Sequence, residues 1–485
     1  MRLFNDPIPF IPFPFSRGRG RGLEEGLAPL LNALLKFQLF RGIGHSKGRI
    51  KREDFTPVYA PLKHPNRLNK RLLVITSLIL VSLLGIGCKS APDFDSQLSQ
   101  IAKPYSFSLA EWEFETISSE IRNFFSGKED KIEDEAGLVR EYFNDVGRIK
   151  TLNTQIQSIV ADGQGDLASL NTELNGLEER RAVLKDKVER IIAKQITETL
   201  AEQGIFNPID EYIKLKVSFP PLSFELEKPP NLLVISPRDR IESIREVLLK
   251  PETHLAEKED IEARVDELGV SSLVVTIGGM ATYPSFVTDD LSLQFTIYAA
   301  TEEWVHQYLA FKPMGFLYLL DLAGVSPNYE IATMNETLAG MVSKEIGAIV
   351  YDKYYTQNEN IESQEQTVKS DFDFNLEMRE LRRSVDKYLE QGEIEQAEAL
   401  MEQKRQCLAS QGYYIRKLNQ AFFAFYGTYA DSPTSVSPIG RDLQELRSQS
   451  ASLKAFLNTV AAMNSYQDLK EMLNKNAGDS NKIGG

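Results

Sequence analysis

Seven apolar residues, Leu167, Leu170, Leu174, Leu177, Leu184, Val188 and Ile191, recur at steps of three and four, with Arg181 at the one interrupted position. Such spacing puts them on one face of a long helix, and an apolar face of that length must be covered by another. Tyr142, Val146, Ile149, Leu152 and Ile156 offer a matching stripe, and Ala161-Asp162-Gly163-Gln164-Gly165-Asp166 offers the turn between them. Two antiparallel packed helices are therefore expected in the region 105–204, with a partner-binding coiled coil as the alternative.

The rest of the chain has room for a sizeable core, with 485 residues of which 42% are hydrophobic and 26% charged. Net charge is −14, although residues 1–71 carry 14 Lys and Arg against 5 Asp and Glu. The acidic body argues against nucleic acid as a partner. Cys88 and Cys407 are the only cysteines, so no disulfide framework is legible.

Leu72 to Ile86 is an uncharged apolar run preceded by Arg67, Lys70 and Arg71. It is short for a spanning helix, which needs roughly 20 residues, and has the length of a signal-peptide core. Cys88, after small residues, resembles the lipid-attachment cysteine of bacterial lipoproteins. The alternatives are a lipoprotein signal over 72–88, a single membrane-spanning anchor, or a buried helix. Either of the first two places the main body on the extracytoplasmic side of the cell membrane, because the basic flank stays inside. The Pro/Gly-rich basic leader 1–71 and the tail 476–485 are expected to be disordered.

After the signal, Leu109–Phe125 reads as a helix. From Phe206 the texture turns to β, with Lys214–Val217, Leu232–Ile235 and Leu273–Ile277 as short strands and Leu291–Ala300 as a strand or a helix start. Leu376–Gln391 and Ile394–Gln411 form a second helical hairpin turning at Gly392. Tyr413–Tyr426, Leu443–Val460 and Tyr466–Leu473 are further helices. The expected fold is α+β, mainly α, with a small mixed β-sheet beside a helical core and long helical hairpins. Its divisions are 105–204, 205–370 and 371–475.

The chemistry concentrates in Glu302-Glu303-Trp304-Val305-His306 and, about thirty residues on, Asn335-Glu336-Thr337-Leu338-Ala339. On a helix Glu302 and His306 share a face, while Glu303 lies about 100° round and can still address the same pocket. A second helix over Met334–Ile349 carries Glu336, with Ala339 and Gly340 where helices approach closely. A helix bearing H-E-x-x-H sets two imidazoles on one metal with the intervening Glu as general base. Here Glu302 stands at the first histidine's position. Trp304 reads as a core anchor.

These residues resemble the gluzincin metallopeptidases, whose pattern is H-E-x-x-H followed by the Glu of N-E-x-x-A on the next helix. The fuller run E-E-W-V-H-Q-Y-L-A-F-x-P-M-G with M-N-E-T-L-A-G-M-V-S-K-E-I-G is similar to a group of membrane-associated bacterial proteins with the motif H-E-W-x-H-x-Y-L, over roughly residues 105–475. The resemblance implies a metallopeptidase-like core in 205–370, in which His306 and Glu336 are metal ligands and Glu303 is the general base. Glu302 would be the third ligand. Glu345 is a candidate for a supporting hydrogen bond, and Tyr413, Tyr414, Tyr429 and Arg416 are candidates for contact with substrate or its oxyanion. A carboxylate can bind zinc, so a Glu/His/Glu site is possible; its oxygen-rich character widens the choice to manganese or iron, and a site without metal is the other option. The function expected is a membrane-anchored, extracytoplasmic metallopeptidase acting on a peptide or protein. The alternative is a noncatalytic relative serving as a binding or scaffold protein at the cell envelope.

Overall fold

A computed structural model of the chain describes residues 93–107, 134–162, 166–208, 216–322, 325–326, 328–356, 373–430 and 432–483. Contacts divide the chain into two units. In the described part of the unit Leu31–Pro104, helix α1 (Phe94–Ala102) is capped by Asp93, whose carboxylate accepts the Ser96 N–H at 2.9 Å.

In the unit that contains Tyr105–Gly485, α2 (Glu135–Asp162) and α3 (Leu167–Glu202) are the expected hairpin. Tyr142, Val146, Ile149 and Leu152 are buried, as are Val188 and Ile191. Towards the turn Leu167, Leu170, Leu174 and Leu177 are only half-buried, because there each arm has only the other to cover it. Asp166 starts α3 by accepting the N–H groups of Ala168 and Ser169, both at 3.1 Å.

There follow β1 (Phe224–Leu226), β2 (Asn231–Pro237), β3 (Arg245–Leu249), α4 (Leu255–Asp266), β4 (Val270–Thr276), β5 (Gly279–Met280) and β6 (Ser285–Val287). They make two small sheets. One is antiparallel, in the order β3-β2-β4, with Val234 opposite Glu246 and Leu273. The other is mixed, in the order β1-β6-β5, with β1 parallel to β6 and Met280 opposite Phe286. Helices α5 (Leu293–Leu309), α6 (Pro313–Leu322) and α7 (Tyr329–Tyr355) come next, then the hairpin of α8 (Phe374–Glu390) and α9 (Ile394–Ser410). The chain closes with α10 (Gln420–Tyr426), α11 (Ile439–Gln449), α12 (Leu453–Ala461) and α13 (Tyr466–Ile483).

The fold is thus α+β and mainly α, as the sequence led us to expect. One apolar core joins the base of the α2–α3 hairpin to α5, α6, α7 and α11–α13. A second lies between the β2/β4 face and α10, and a third inside the α8–α9 pair. At the α8–α9 turn Gly392 has φ 75°, a conformation open to glycine at little cost.

Local expectations differ from this fold in several places. There are two small sheets rather than one. Of Lys214–Val217, residues 216–217 are not a strand and the others lie outside the described residues, as does Leu109–Phe125. Of the two alternatives for Leu291–Ala300, the helix start is the one the fold takes, in α5. Only Gln420–Tyr426 of the helix expected over 413–426 forms, because Asn419 caps it by accepting the Phe422 N–H at 2.9 Å. Leu443–Val460 breaks into α11 and α12, with Ser452 accepting the Ala455 N–H at 3.1 Å to begin the second.

The expected cell-membrane location is overturned. Among the described residues no helix is long and apolar enough to cross a membrane. The run Leu72–Ile86 and the lipid-attachment candidate Cys88 lie outside them. The fold therefore lends no support to a transmembrane, signal-peptide or lipoprotein anchor, nor to the extracytoplasmic placement derived from one.

Glu189 on α3 shows how the hairpin base meets β1. Its side chain is 11% exposed, and its carboxylate accepts the Leu226 N–H at 2.7 Å. Burial pushes its pKa up to about 7, against the smaller lowering influences of Lys185 and the Leu226 N–H. The folded chain therefore holds this proton between about pH 4.3 and 7, where the unfolded chain has lost it. Its contribution to stability is complete below that window and is lost as pH rises through it, by on the order of 3 kcal/mol. Glu189→Gln is expected to match the parent at pH 4 and exceed it at pH 8 in denaturant unfolding. An equal effect of the substitution at both pH values would contradict this.

Candidate functional site

The motif residues meet at the seam between α5 and α7. Glu302, Glu303, His306 and Glu336 are all buried, none more than 5% exposed. Small residues allow the two helices to come this close. A Cβ on Gly347 would stand 2.2 Å from the Tyr298 ring, so only glycine fits there without displacing it. Trp304, at 2% exposure, donates its ring N–H to the Pro220 carbonyl at 2.8 Å and anchors α5, in line with its reading as a core residue. Gln307 donates to the Ser285 hydroxyl at 3.0 Å and ties the helix to β6.

The antiparallel register of the pair decides which groups meet. His306 lies opposite Asn335 and Glu336, and Glu302, one turn back on α5, lies opposite Gly340 and Ser343, further along α7. The His306 ring is fixed through Nδ1, 2.8 Å from the Asn335 amide oxygen. An N–H donated there leaves Nε2 with a bare lone pair. Among the described residues that Nε2 has no hydrogen-bond partner, and it stands 3.6 Å from Glu336 Oε2. The other Glu336 oxygen accepts the hydroxyl of Tyr318.

Glu303 lies against Gly279 at the start of β5, near enough to Glu336 to feel its charge. A Cβ on Gly279 would come within 2.4 Å of its Oε1, so the glycine makes the space that the carboxyl fills. Neither oxygen of Glu303 has a hydrogen-bond partner among the described residues. Glu302 is turned elsewhere: its Oε2 accepts the Ser343 hydroxyl at 3.4 Å, and its Oε1 would lie 3.2 Å from a Cβ on Gly340.

Charge follows from burial. Loss of water raises the Glu303 carboxyl well above the usual range, and the nearby Glu336 charge adds to the rise. Burial lowers His306 to about 4, only partly offset by the Asn335 contact, so the ring is neutral near pH 7. The Tyr429 hydroxyl is buried and has no hydrogen-bond partner among the described residues. Burial raises it most, and Glu336, Tyr318, Glu302 and Glu303 raise it further.

Tyr429 is therefore the candidate among the late-chain residues that lies near the carboxylates. Arg416 is engaged elsewhere, with Glu262 of α4 and the Val274 carbonyl. Tyr413 stacks on Phe374 at 4.9 Å, and Tyr414 is exposed. Glu345 accepts two hydrogen bonds from Arg447, at 2.7 and 2.8 Å, and does not support the ligand positions. Tyr318 belongs to the site without any motif to announce it, and Ser343 stands in the quoted run after Glu336 with no role read for it. Asn335 had a signal, since it directly precedes Glu336.

Two donors about 2.0–2.2 Å from one cation stand roughly 3.3–3.6 Å apart in a tetrahedral shell. His306 Nε2 and Glu336 Oε2 fit that spacing, and a neutral imidazole beside a carboxylate is suitable donor chemistry for a divalent metal. Among the described residues, however, no group of three His, Cys, Asp or Glu side chains could hold a metal ion. Of the expected Glu302/His306/Glu336 set, His306 and Glu336 face one another, while Glu302 lies along the seam at Ser343. Comparison of the chain with protein-family profiles, with curated proteins and with solved structures finds no match.

Proposed function

We propose that the α5–α7 seam is a metal-dependent hydrolytic centre acting on peptide bonds. One observation carries the reading: His306, fixed at Nδ1 by Asn335, turns an unpartnered Nε2 towards Glu336 at 3.6 Å. His306 and Glu336 would hold the cation, zinc in the first instance and manganese or iron with so many oxygen donors. Glu302 is the carboxylate available to join them. When bound, the ion supplies electrophilic polarisation of the scissile carbonyl and acidifies the attacking water. Glu303 takes the proton of that water and returns it to the leaving amine, as its two unpartnered oxygens allow. Tyr429 is the hydroxyl available to the developing oxyanion.

The placement of Glu302 favours a second reading, a noncatalytic binding or scaffold protein on the same framework. A ligand position that faces Ser343 and Gly340 leaves the centre one donor short. Elemental analysis of the purified full chain after zinc loading separates the two. The hydrolytic reading expects about one metal per chain, lost in His306→Ala, together with turnover of an unstructured peptide. No bound metal in the parent chain, with both metal and turnover gained in Glu302→His, would establish the noncatalytic reading instead.

A further inference from the structure

We infer that Tyr318 is a positioning residue for the cation site: its hydroxyl fixes one oxygen of Glu336 so that the other faces His306. The inference rests on the reading of this seam as a cation site and deepens it.

Tyr318 lies on α6, whose start is packed hard against the end of α5. A Cβ on Gly315 would strike the Leu309 carbonyl oxygen at 2.0 Å, so the glycine sets how closely α6 can approach. That approach brings Tyr318, 3% exposed, over the site. Its ring centre is 6.2 Å from that of His306, with the planes inclined at 33°. The hydroxyl donates to Glu336 Oε1, while Oε2 stands 3.6 Å from His306 Nε2. A glutamate carboxylate turns broadly about its last bond, and its position is set by whatever it bonds to. Here a rigid, buried phenol supplies the bond. Asn335 does the same for the imidazole through Nδ1 at 2.8 Å, so each of the two facing donors has its own orienting partner.

Removing such a partner typically weakens metal binding by about 10–100-fold without removing a ligand. Cobalt(II) is a suitable probe, because its visible absorption reports coordination geometry independently of turnover. The full chain loaded with cobalt(II) is expected to show intense d–d bands that are absent in His306→Ala. Tyr318→Phe, which keeps the ring and deletes the hydroxyl, should shift those bands and lose metal to a competing chelator at about 10–100-fold lower chelator activity, with its far-UV circular dichroism unchanged. If the Phe variant does not fold, Tyr318→Met, an adaptable filler with no donor hydroxyl, is read in the same way. Spectra and chelator competition identical to the parent would overturn the role of Tyr318 and leave the cation site standing. A parent chain with no His306-dependent cobalt bands would overturn the cation site itself, and the role of Tyr318 with it.

Discussion

Under the proposed hydrolytic function, Glu303→Gln is expected to lower kcat for peptide hydrolysis by about 10²–10⁴-fold while the metal content of the loaded chain stays the same. The amide keeps the shape of the carboxyl, and so it still fits the space left by Gly279. It cannot accept and return a proton. The swap removes little else, because among the described residues Glu303 has no hydrogen-bond partner that the amide would abandon. Lost turnover can then be assigned to proton transfer. The check is steady-state kinetics beside elemental analysis of the same preparation. Parent-like kcat in the variant would remove Glu303 from the mechanism, and loss of metal together with activity would make it a ligand.

The two site helices are legible in the sequence for a physical reason. Positions four apart on α5 and four apart on α7 lie on the same face of each helix, and small residues such as Gly347 and Gly340 mark where the helices close on one another. Whether Glu302 completes the set is not legible, because it depends on what α7 presents opposite it. Gly340 gives its carboxylate space, and Ser343 gives it a hydroxyl to accept. Tyr318 is invisible for a related reason. It sits on an apolar helix of no recognisable motif, and only the contact of Gly315 with the end of α5 brings its hydroxyl to Glu336.

The strands divide along similar lines. β2 and β4 are runs of seven residues, long enough to carry a β-branched and apolar signature. β1 and β6 have three residues each and β5 has two, and they exist because neighbouring chain segments supply their hydrogen bonds. The hairpins were legible from period alone, and the breaks before α10 and α12 are marked by Asn419 and Ser452, capping residues that the apolar pattern runs straight through.

Arg416 is the clearest case in which residue type points to chemistry and the fold assigns a structural task. Its guanidinium spans both oxygens of Glu262 and also donates to the Val274 carbonyl at 3.0 Å. Glu262, 3% exposed on α4, in turn accepts the Val274 N–H at 2.6 Å. The pair therefore clamps α4, the edge strand β4 and the segment before α10 together. Removing one member leaves the other buried and charged, which typically costs about 3–5 kcal/mol. Arg416→Ala is expected near the lower end, about 3 kcal/mol, because Lys417 remains 3.7 Å from Glu262. Replacing both members, as in Arg416→Met with Glu262→Leu, should cost less than the single change, since no buried charge is left alone. Denaturant unfolding of the full chain measures both. The zinc content of Arg416→Ala, loaded under native conditions, should equal that of the parent. A variant of unchanged stability that has lost turnover would return Arg416 to the list of substrate contacts.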